Sequence, residues 1–355
     1  MITEVIEAYF PSIKNCSIEP FGNGHINDTY RVELKGEAQN FILQQINTNV
    51  FNNPQTIIET HLKLQEVFSN KHYPITIAHL VANSNGEYLT VDANSNHWRL
   101  TEFIEDSYTI EVLTDTWQAL EAGKAYGLFA AICSQLNVKE FSEPIKDFHR
   151  LSFRLGQLKQ AIENDFAGRL KVVKEVVEFF LAREDKLSKV EQMVDAGKIP
   201  LRVMHNDTKI NNLLFRFKSA VAVIDLDTTG PGILYYDYGD ALRTIANTAQ
   251  EDEKNLSRVN FNLKAFEHFS VGYLNEVKTI ITDEERVNFF LAPFILTYLM
   301  GIRFLAEFLN GDSYYKIAYP NHNIDRCMVQ KTMIERLEEN EEKMKSTVNS
   351  IFLRQ

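Results

Sequence analysis

The chain has 355 residues, enough for two cores of ordinary domain size. Its apolar share of 45% and charged share of 24% are those of a folded globular protein and exclude a disordered chain. The net charge of −11, with no block of Lys or Arg, argues against a nucleic-acid partner. Cys16, Cys133 and Cys327 lie far apart and form no C-x-x-C, so neither disulfides nor a zinc site are expected. The opening MITEVIEAYF lacks the basic run and long apolar stretch of a secretion signal. The expectation is a cytoplasmic protein with no membrane partner. The most apolar run, residues 289–302, is interrupted by Pro293, Thr297 and Tyr298; it reads as a buried core helix, too short for a span.

In chain order, residues 1–103 read mostly as strand. Residues 21–34 (FGNGHINDTYRVEL) are a glycine-containing turn followed by an alternating run, and residues 41–46 (FILQQI) form a short apolar strand. A helix follows in PQTIIETHLKLQEVF. Pro54 suits its first turn, and Ile57, Ile58, Leu62, Leu64, Val67 and Phe68 recur near helical spacing. Asn85-Gly86 signals a turn between IAHLVA and EYLTV, and HWRLTEF is a further strand. After residue 104 the character changes. Residues 111–136, 150–195, 251–278 and 283–310 show helical periodicity around one β-like island at 201–227. The expected architecture is α+β and bilobal: an N-terminal lobe over 1–104, with a small antiparallel sheet and one inserted helix, and a mainly helical lobe over 105–355. This is the arrangement of protein-kinase-like phosphotransferases.

The chemistry concentrates in VMHNDTKINNLLFRFKSAVAVIDLD, residues 203–227. His205, Asp207 and Asn212 form H-x-D-x-x-x-x-N. LLFRF and VAVID, separated by Lys218-Ser219-Ala220, read as a hairpin. Antiparallel pairing then brings Asn212 and Asp225 to the same open end of the ribbon. An amide oxygen and a carboxylate there suit Mg²⁺, which keeps its other positions for water and phosphate. Asp207, five residues before Asn212, is placed to accept the proton of an incoming hydroxyl. A carboxylate base plus a metal is most of what phosphoryl transfer requires. His205 is expected to brace the loop. Asp227 reads as a second metal-side carboxylate or as a turn residue.

On the nucleotide side, Gly22, Asn23 and Gly24 form a G-x-G turn whose backbone N–H groups could approach the phosphates of ATP. A kinase carries a lysine on the strand formed here by FILQQI, paired with an acid on the next helix. This chain has Gln44 and Gln45 instead; Gln45 is the first choice, with Glu59 (or Glu66) as the helix acid. Glu102 and Ile104 lie where the lobes would join and could offer a carbonyl and an N–H to adenine.

HNDTKINN followed by VIDLD resembles the aminoglycoside phosphotransferase and choline kinase superfamily. FGNGHINDTY, LQQINTNVF, WRLTEFIED, YDYGDALR and FLNGDSYYKIAYPNHNIDR make the chain most similar to the N-acetylhexosamine 1-kinase group within it. The resemblance implies a bilobal fold, Mg-ATP, and phosphorylation of the anomeric hydroxyl of N-acetylglucosamine or N-acetylgalactosamine. Asp207 would be the base and Asn212 and Asp225 the metal ligands. The departure is Gln45, where such kinases carry Arg or Lys. For the sugar, Arg303 within an apolar helix and Tyr314 or Tyr315 after it are the candidate contacts. Asp237, Asp240 and Arg243 are expected to brace the catalytic loop. The alternatives are a kinase of another small alcohol, such as an amino alcohol or aminoglycoside, and an inactive nucleotide-binding protein. The sequence leaves the oligomeric state open.

Overall fold

The structure, a computed structural model, describes residues 2–12, 15–22, 26–69 and 72–353. The chain divides into two compact units. The first comprises Met1–Ile110, Lys139–Lys146 and Asn211–Gly230; the second comprises Glu111–Val138, Asp147–Ile210 and Pro231–Gln355. The first opens with α1 (Ile2–Tyr9), β1 (Cys16–Pro20), β2 (Asp28–Leu34) and β3 (Phe41–Ile46). Then come α2 (Pro54–Phe68), β4 (Thr76–Ile77), β5 (Leu80–Val81), β6 (Thr90–Val91) and β7 (His97–Glu102). The second unit contributes α3 (Thr116–Cys133), α4 (Leu151–Asn164), α5 (Lys174–Leu181), α6 (Glu184–Asp195) and β8 (Arg202–Met204). The chain returns to the first unit for β9 (Leu213–Arg216) and β10 (Ser219–Val223). It ends in the second with α7 (Leu234–Ile245), α8 (Leu263–Val277), α9 (Asp283–Asn288), α10 (Ala292–Leu309), α11 (His322–Glu339) and α12 (Glu341–Leu353).

The mixed α+β class holds. The larger sheet runs β1-β2-β3-β7-β5, with β6 also beside β7, and every pairing in it is antiparallel. Strand alternation sorts its two faces. Val32, Leu34, Phe41, Leu43, Trp98 and Leu100 pack on Val5, Ile6 and Tyr9 of α1. That first helix replaces the strand expected there, because its buried side chains recur at positions 5, 6 and 9, on one helical face. On the opposite side, Ile46 joins Phe51, Leu80 and the α2 residues Ile57 and Ile58. α2 lies where it was expected, after the third strand and with Pro54 in its first turn.

The hairpin is real but not isolated. β10 pairs antiparallel with β9 and parallel with β4, so the expected IAHLVA run is split between two different sheets. The turn falls at Phe217-Lys218, with Phe217 at φ +54°, not at 218–220. This is why the hairpin groups with the first unit and not with residues 105–355.

In the second unit, helix 150–195 is broken into three. Asp165, at φ +38°, ends α4 in a left-handed cap. The stretch 251–262 is irregular, and α8 starts only where the Asn262 side chain caps the Ala265 N–H. α7, α11 and α12 are additional helices. α3 and α8 meet backbone to backbone: a Cβ on Gly123 would lie 2.2 Å from the Phe269 carbonyl oxygen. α7 is seated against α10 in the same way, a Cβ on Gly239 falling 2.3 Å from the Ala292 oxygen. Among the described residues, 283–309 form one stretch long and apolar enough to cross a membrane, yet 89% of its apolar window is buried within the protein. Leu296, Leu299, Phe304 and Leu305 of α10 are almost fully enclosed, each burial stabilising the unit by about 1.5–3 kcal/mol.

Candidate active site

The catalytic-loop motif lies in the second unit, just after β8. The loop cannot satisfy its own backbone, because Asn206 sits at φ +64° and no helix or sheet covers residues 205–208. α7 supplies the partner. The Asp237 carboxylate accepts the N–H groups of His205 (3.0 Å) and Asn206 (2.8 Å), and its carbonyl accepts the Thr208 hydroxyl (2.6 Å). His149 Nε2 meets the Asn206 carbonyl at 2.8 Å, and the Tyr126 hydroxyl donates to the Lys209 carbonyl at 2.5 Å. The His205 ring stands edge-on against Tyr126 and Phe129, and its Nδ1 accepts the Asp207 N–H at 3.2 Å. His205 and Asp237 thus brace the loop as expected. Asp240 and Arg243 pair instead with each other, at 2.9 Å, and Arg243 reaches on to Glu251 at 3.2 Å. Burial raises the Asp237 carboxyl to about 6, against the opposing pull of His205 and the two N–H donors.

Asp207 keeps 19% of its side chain exposed, and Lys209 Nζ lies 2.9 Å from its Oδ1. Burial pushes the Asp207 carboxyl up, but the charge and hydrogen bond of Lys209, with His205 and Arg243, outweigh it and hold it below its ordinary value. Asp207 raises Lys209 in turn. Lys209 was missed in the sequence, although D-x-K within the loop was the available signal.

The other half of the motif lies in the first unit, at the open end of the β9–β10 hairpin. Leu213 pairs with Val223, and the Ile224 N–H donates to the Asn212 carbonyl at 3.0 Å. Asn212 and Asp225 therefore emerge together, as antiparallel pairing required. Asp225 is exposed and left-handed, at φ +60° and ψ +58°, a conformation that is uncommon outside glycine but open to Asp and Asn. An exposed carboxylate beside an amide fits Mg²⁺, a hard ion content with few protein ligands. No group of three or more His, Cys, Asp and Glu side chains that could hold a metal occurs among the described residues. Asp227 is different. Its two oxygens are engaged by Arg99 Nη1 at 2.5 Å and Asn27 Nδ2 at 2.6 Å, and it is buried. Asp227, read in the sequence as a second metal-side carboxylate or a turn residue, is an anchored carboxylate on the 226–228 turn.

The nucleotide-side expectations fare unevenly. Gly22 has φ +76° and open space around it, and the adjoining Phe21 N–H closes the β1–β2 turn onto Thr29. Asn23 and Gly24 lie outside the described residues. Gln45 pairs in register with Trp98, on the α1 face of the sheet, whereas Gln44, opposite Arg99, is on the α2 face. A residue paired with α2 must share its face, which Gln44 does and Gln45 does not. Glu59 is exposed and accepts from Gln55 Nε2 at 3.3 Å on its own helix, and Glu66 is also exposed. The buried polar residues of α2 are Thr60 and His61. Burial, then the nearby Arg99 charge, lowers His61 to about 4, so it is neutral. Glu102 is exposed, with its N–H donated to the His79 carbonyl. The Ile104 carbonyl accepts the Ser107 hydroxyl at 2.5 Å, and its N–H makes no backbone hydrogen bond among the described residues.

Arg303 and Tyr315 come together in the second unit. The half-buried guanidinium of Arg303 lies 5.2 Å from the Phe148 ring centre and 5.6 Å from that of Tyr315. Among the described residues its one polar contact is the Met300 sulfur, at 3.4 Å. Tyr315 Oη and His149 Nδ1 are buried without hydrogen-bond partners. Burial, then Arg303, lowers the neighbouring Arg154 to about 10. Tyr314 stands edge-on to Tyr315 but is 60% exposed.

A helical unit bearing His205 and Asp207, with an antiparallel-sheet unit bearing Asn212, Asp225 and the β9–β10 hairpin, defines a kinase-like phosphotransferase fold. Residues 17–262 match the phosphotransferase enzyme family, to which the chain therefore belongs. Three solved structures share the fold. A microcompartment-associated aminopropanol kinase is 17% identical, with 97% of this chain and 98% of that one aligned and a TM-score of 0.66. An aminoglycoside phosphotransferase from Alicyclobacillus acidocaldarius is 12% identical over 98% and 96%, with a TM-score of 0.64. A choline kinase from Cryptosporidium parvum is 14% identical over 99% of both chains, with a TM-score of 0.61.

Proposed function

We propose that the protein is an ATP-dependent kinase that phosphorylates the anomeric hydroxyl of an N-acetylhexosamine to the 1-phosphate. The observation that carries the choice of substrate is the Arg303 cluster. Among the described residues Arg303 has no carboxylate partner, Arg154 lies near it, and Tyr315 Oη and His149 Nδ1 are buried without hydrogen-bond partners. Buried polar atoms left unpaired call for a ligand that pairs them. Two guanidinium groups repel a cationic amino alcohol and suit a neutral substrate rich in oxygen acceptors, such as an N-acylated sugar. The aromatic walls of Phe148 and Tyr315 suit the apolar face of a sugar ring.

In this reading Asp207, kept ionised by Lys209, accepts the proton of the sugar hydroxyl. Asp237 and His149 hold the loop that carries it. Asn212 and Asp225 would hold Mg²⁺, which when bound with ATP neutralises charge on the transferred phosphoryl group. The anomeric hydroxyl is the more acidic one of a sugar, and so the easier match for a carboxylate base of low basicity. Gly22, with the adjoining turn, and the Ile104 N–H are the candidate contacts for phosphate and adenine.

A second reading, an amino alcohol kinase, draws on Asp240, whose Oδ2 is buried and unpaired, and on the substrate named for the aminopropanol kinase of the same fold. A panel of N-acetylhexosamines and amino alcohols with Mg-ATP, read by ADP release, separates the two. Turnover of N-acetylhexosamines with an acid-labile product supports the proposal. Turnover confined to amino alcohols defeats it. Turnover of a 1-O-methyl glycoside defeats the anomeric assignment alone.

A further inference from the structure

The resemblance leads one to expect a cation on the third strand paired with an acid on the following helix. β3 carries no cation and the acids of α2, Glu59 and Glu66, are exposed, yet the same region holds a buried ion pair built from other elements. Arg99, on β7, is 4% exposed, and Asp227, on the turn after Asp225, is 2% exposed. The guanidinium is fully oriented. Its Nη1 donates to Asp227 Oδ1 at 2.5 Å, and its Nε and Nη2 both donate to Gln44 Oε1, at 3.0 and 2.8 Å. Gln44 is fixed in turn, because its Nε2 donates to Thr29 Oγ1 at 3.2 Å. On the far side, Asn27 Nδ2 donates to Asp227 Oδ2 at 2.6 Å, and Asn27 Oδ1 accepts the Asn47 N–H at 3.0 Å. Two groups of the first unit thus hold the carboxylate, Arg99 on β7 and Asn27 just before β2, while β3 and β2 aim the arginine through Gln44 and Thr29.

A buried ion pair is poor evidence of stability. Taking both charges out of water costs several kcal/mol per ion, and an apolar pair of similar volume is often no worse. What such a pair supplies is direction. Arg99 has no other acidic partner among the described residues, and α2 offers only the neutral His61 nearby. Asp227 is two residues beyond Asp225, on the 226–228 turn that the left-handed Asp225 opens, so anchoring its carboxylate fixes that turn.

We infer that Arg99 is a positioning residue: through Asp227 it clamps the turn that presents Asp225, replacing the missing strand-to-helix pair with a strand-to-loop pair. The inference deepens the kinase reading above and rests on it. Its consequence is that Arg99 is consumed in holding the Asp225 turn and makes no direct contribution to the phosphates.

The test uses the full chain and two variants, Arg99→Met and the milder Gln44→Leu, which leaves the charge but removes the acceptor that aims it. Folding is checked by circular dichroism. Hydrogen exchange over residues 224–230 reports the loop whatever the enzyme does. Calorimetry with ADP, with and without Mn²⁺, reports the metal. We expect faster exchange confined to this loop, and an affinity for Mn-ADP about 10-fold weaker in Arg99→Met, the usual loss when an outer-sphere partner of a metal ligand is removed. Metal-free ADP affinity should change less than about 2-fold, and Gln44→Leu should fall between wild type and Arg99→Met. Unchanged loop exchange in folded variants overturns the inference, as does unchanged Mn-ADP affinity when the wild type shows metal-dependent binding. Metal-independent ADP binding by the wild type overturns the kinase reading and this inference together, and is seen before any variant is made.

Discussion

Lys209 Nζ lies 2.9 Å from Asp207 Oδ1, so the proposed base carries its own cation two residues along the chain. The pair is local to the loop, and the loop is tied down by Asp237 and His149.

The first prediction concerns pH. Because Asp207 is held below its ordinary value, it remains ionised, and competent as a base, down to pH values where an ordinary carboxylate would be protonated. The stabilisation from the pair is present above the unfolded carboxylate's titration and is lost as pH falls through the folded one. Lys209→Met removes the largest of the charges that oppose burial, so the acid limb of kcat/KM should move to higher pH. Asp207→Asn should lower turnover by roughly 10²-fold or more at every pH. A Lys209→Met profile that overlays the wild type's would show that Asp207 is not the titrating base.

The second concerns the hairpin end. Asn212→Ala and Asp225→Ala should each weaken metal-dependent nucleotide binding and nearly abolish turnover. If both hold one ion, the double variant should lose little more than either single one, because the interaction is removed only once. Fully additive losses in a double-mutant cycle would place them at separate sites.

The third separates the two glutamines. Gln45→Lys adds a charge on the α1 face beside Trp98 and should leave the KM for ATP within about 2-fold, since screened charges on the far side of a sheet interact weakly. Gln44→Lys removes the acceptor of two Arg99 bonds and sets a like charge against it. Thermal unfolding should show a loss of about 1–3 kcal/mol. A lower KM in Gln45→Lys would mean that its side chain reaches the phosphates after all.

The fourth concerns Asp237. Asp237→Ala orphans the buried N–H groups of His205 and Asn206 together, at about 1–3 kcal/mol each. Denaturant unfolding should show a loss of about 2–6 kcal/mol for the two together, with turnover falling through the loosened loop. A variant of wild-type stability would show that water can replace the carboxylate.

Much of this protein was legible along the chain. The α+β class, α2 after the third strand, the loop motif at His205, Asp207 and Asn212, and the convergence of Asn212 with Asp225 all follow from local rules. Strand alternation, a proline in a first turn and antiparallel hairpin pairing are properties of a few consecutive residues, and so is the choice of hard oxygen donors. What the chain could not determine was anything set by which distant elements share a face. Gln44 and Gln45 are equivalent in a one-dimensional reading, and only the pairing of β3 with β7, more than fifty residues away, turns Gln44 toward Arg99 and Gln45 toward Trp98. Asp227 read equally well as a metal ligand or a turn residue, because nothing nearby announces that Arg99 and Asn27, 128 and 200 residues distant in sequence, will enclose it. Helical spacing could not tell a kinase-type acid on α2 from a solvated Glu59, since exposure depends on what α2 packs against. Motif chemistry is local and survives in sequence; the choice of partner for a buried charge is long-range, and it was made only when the sheet closed over it.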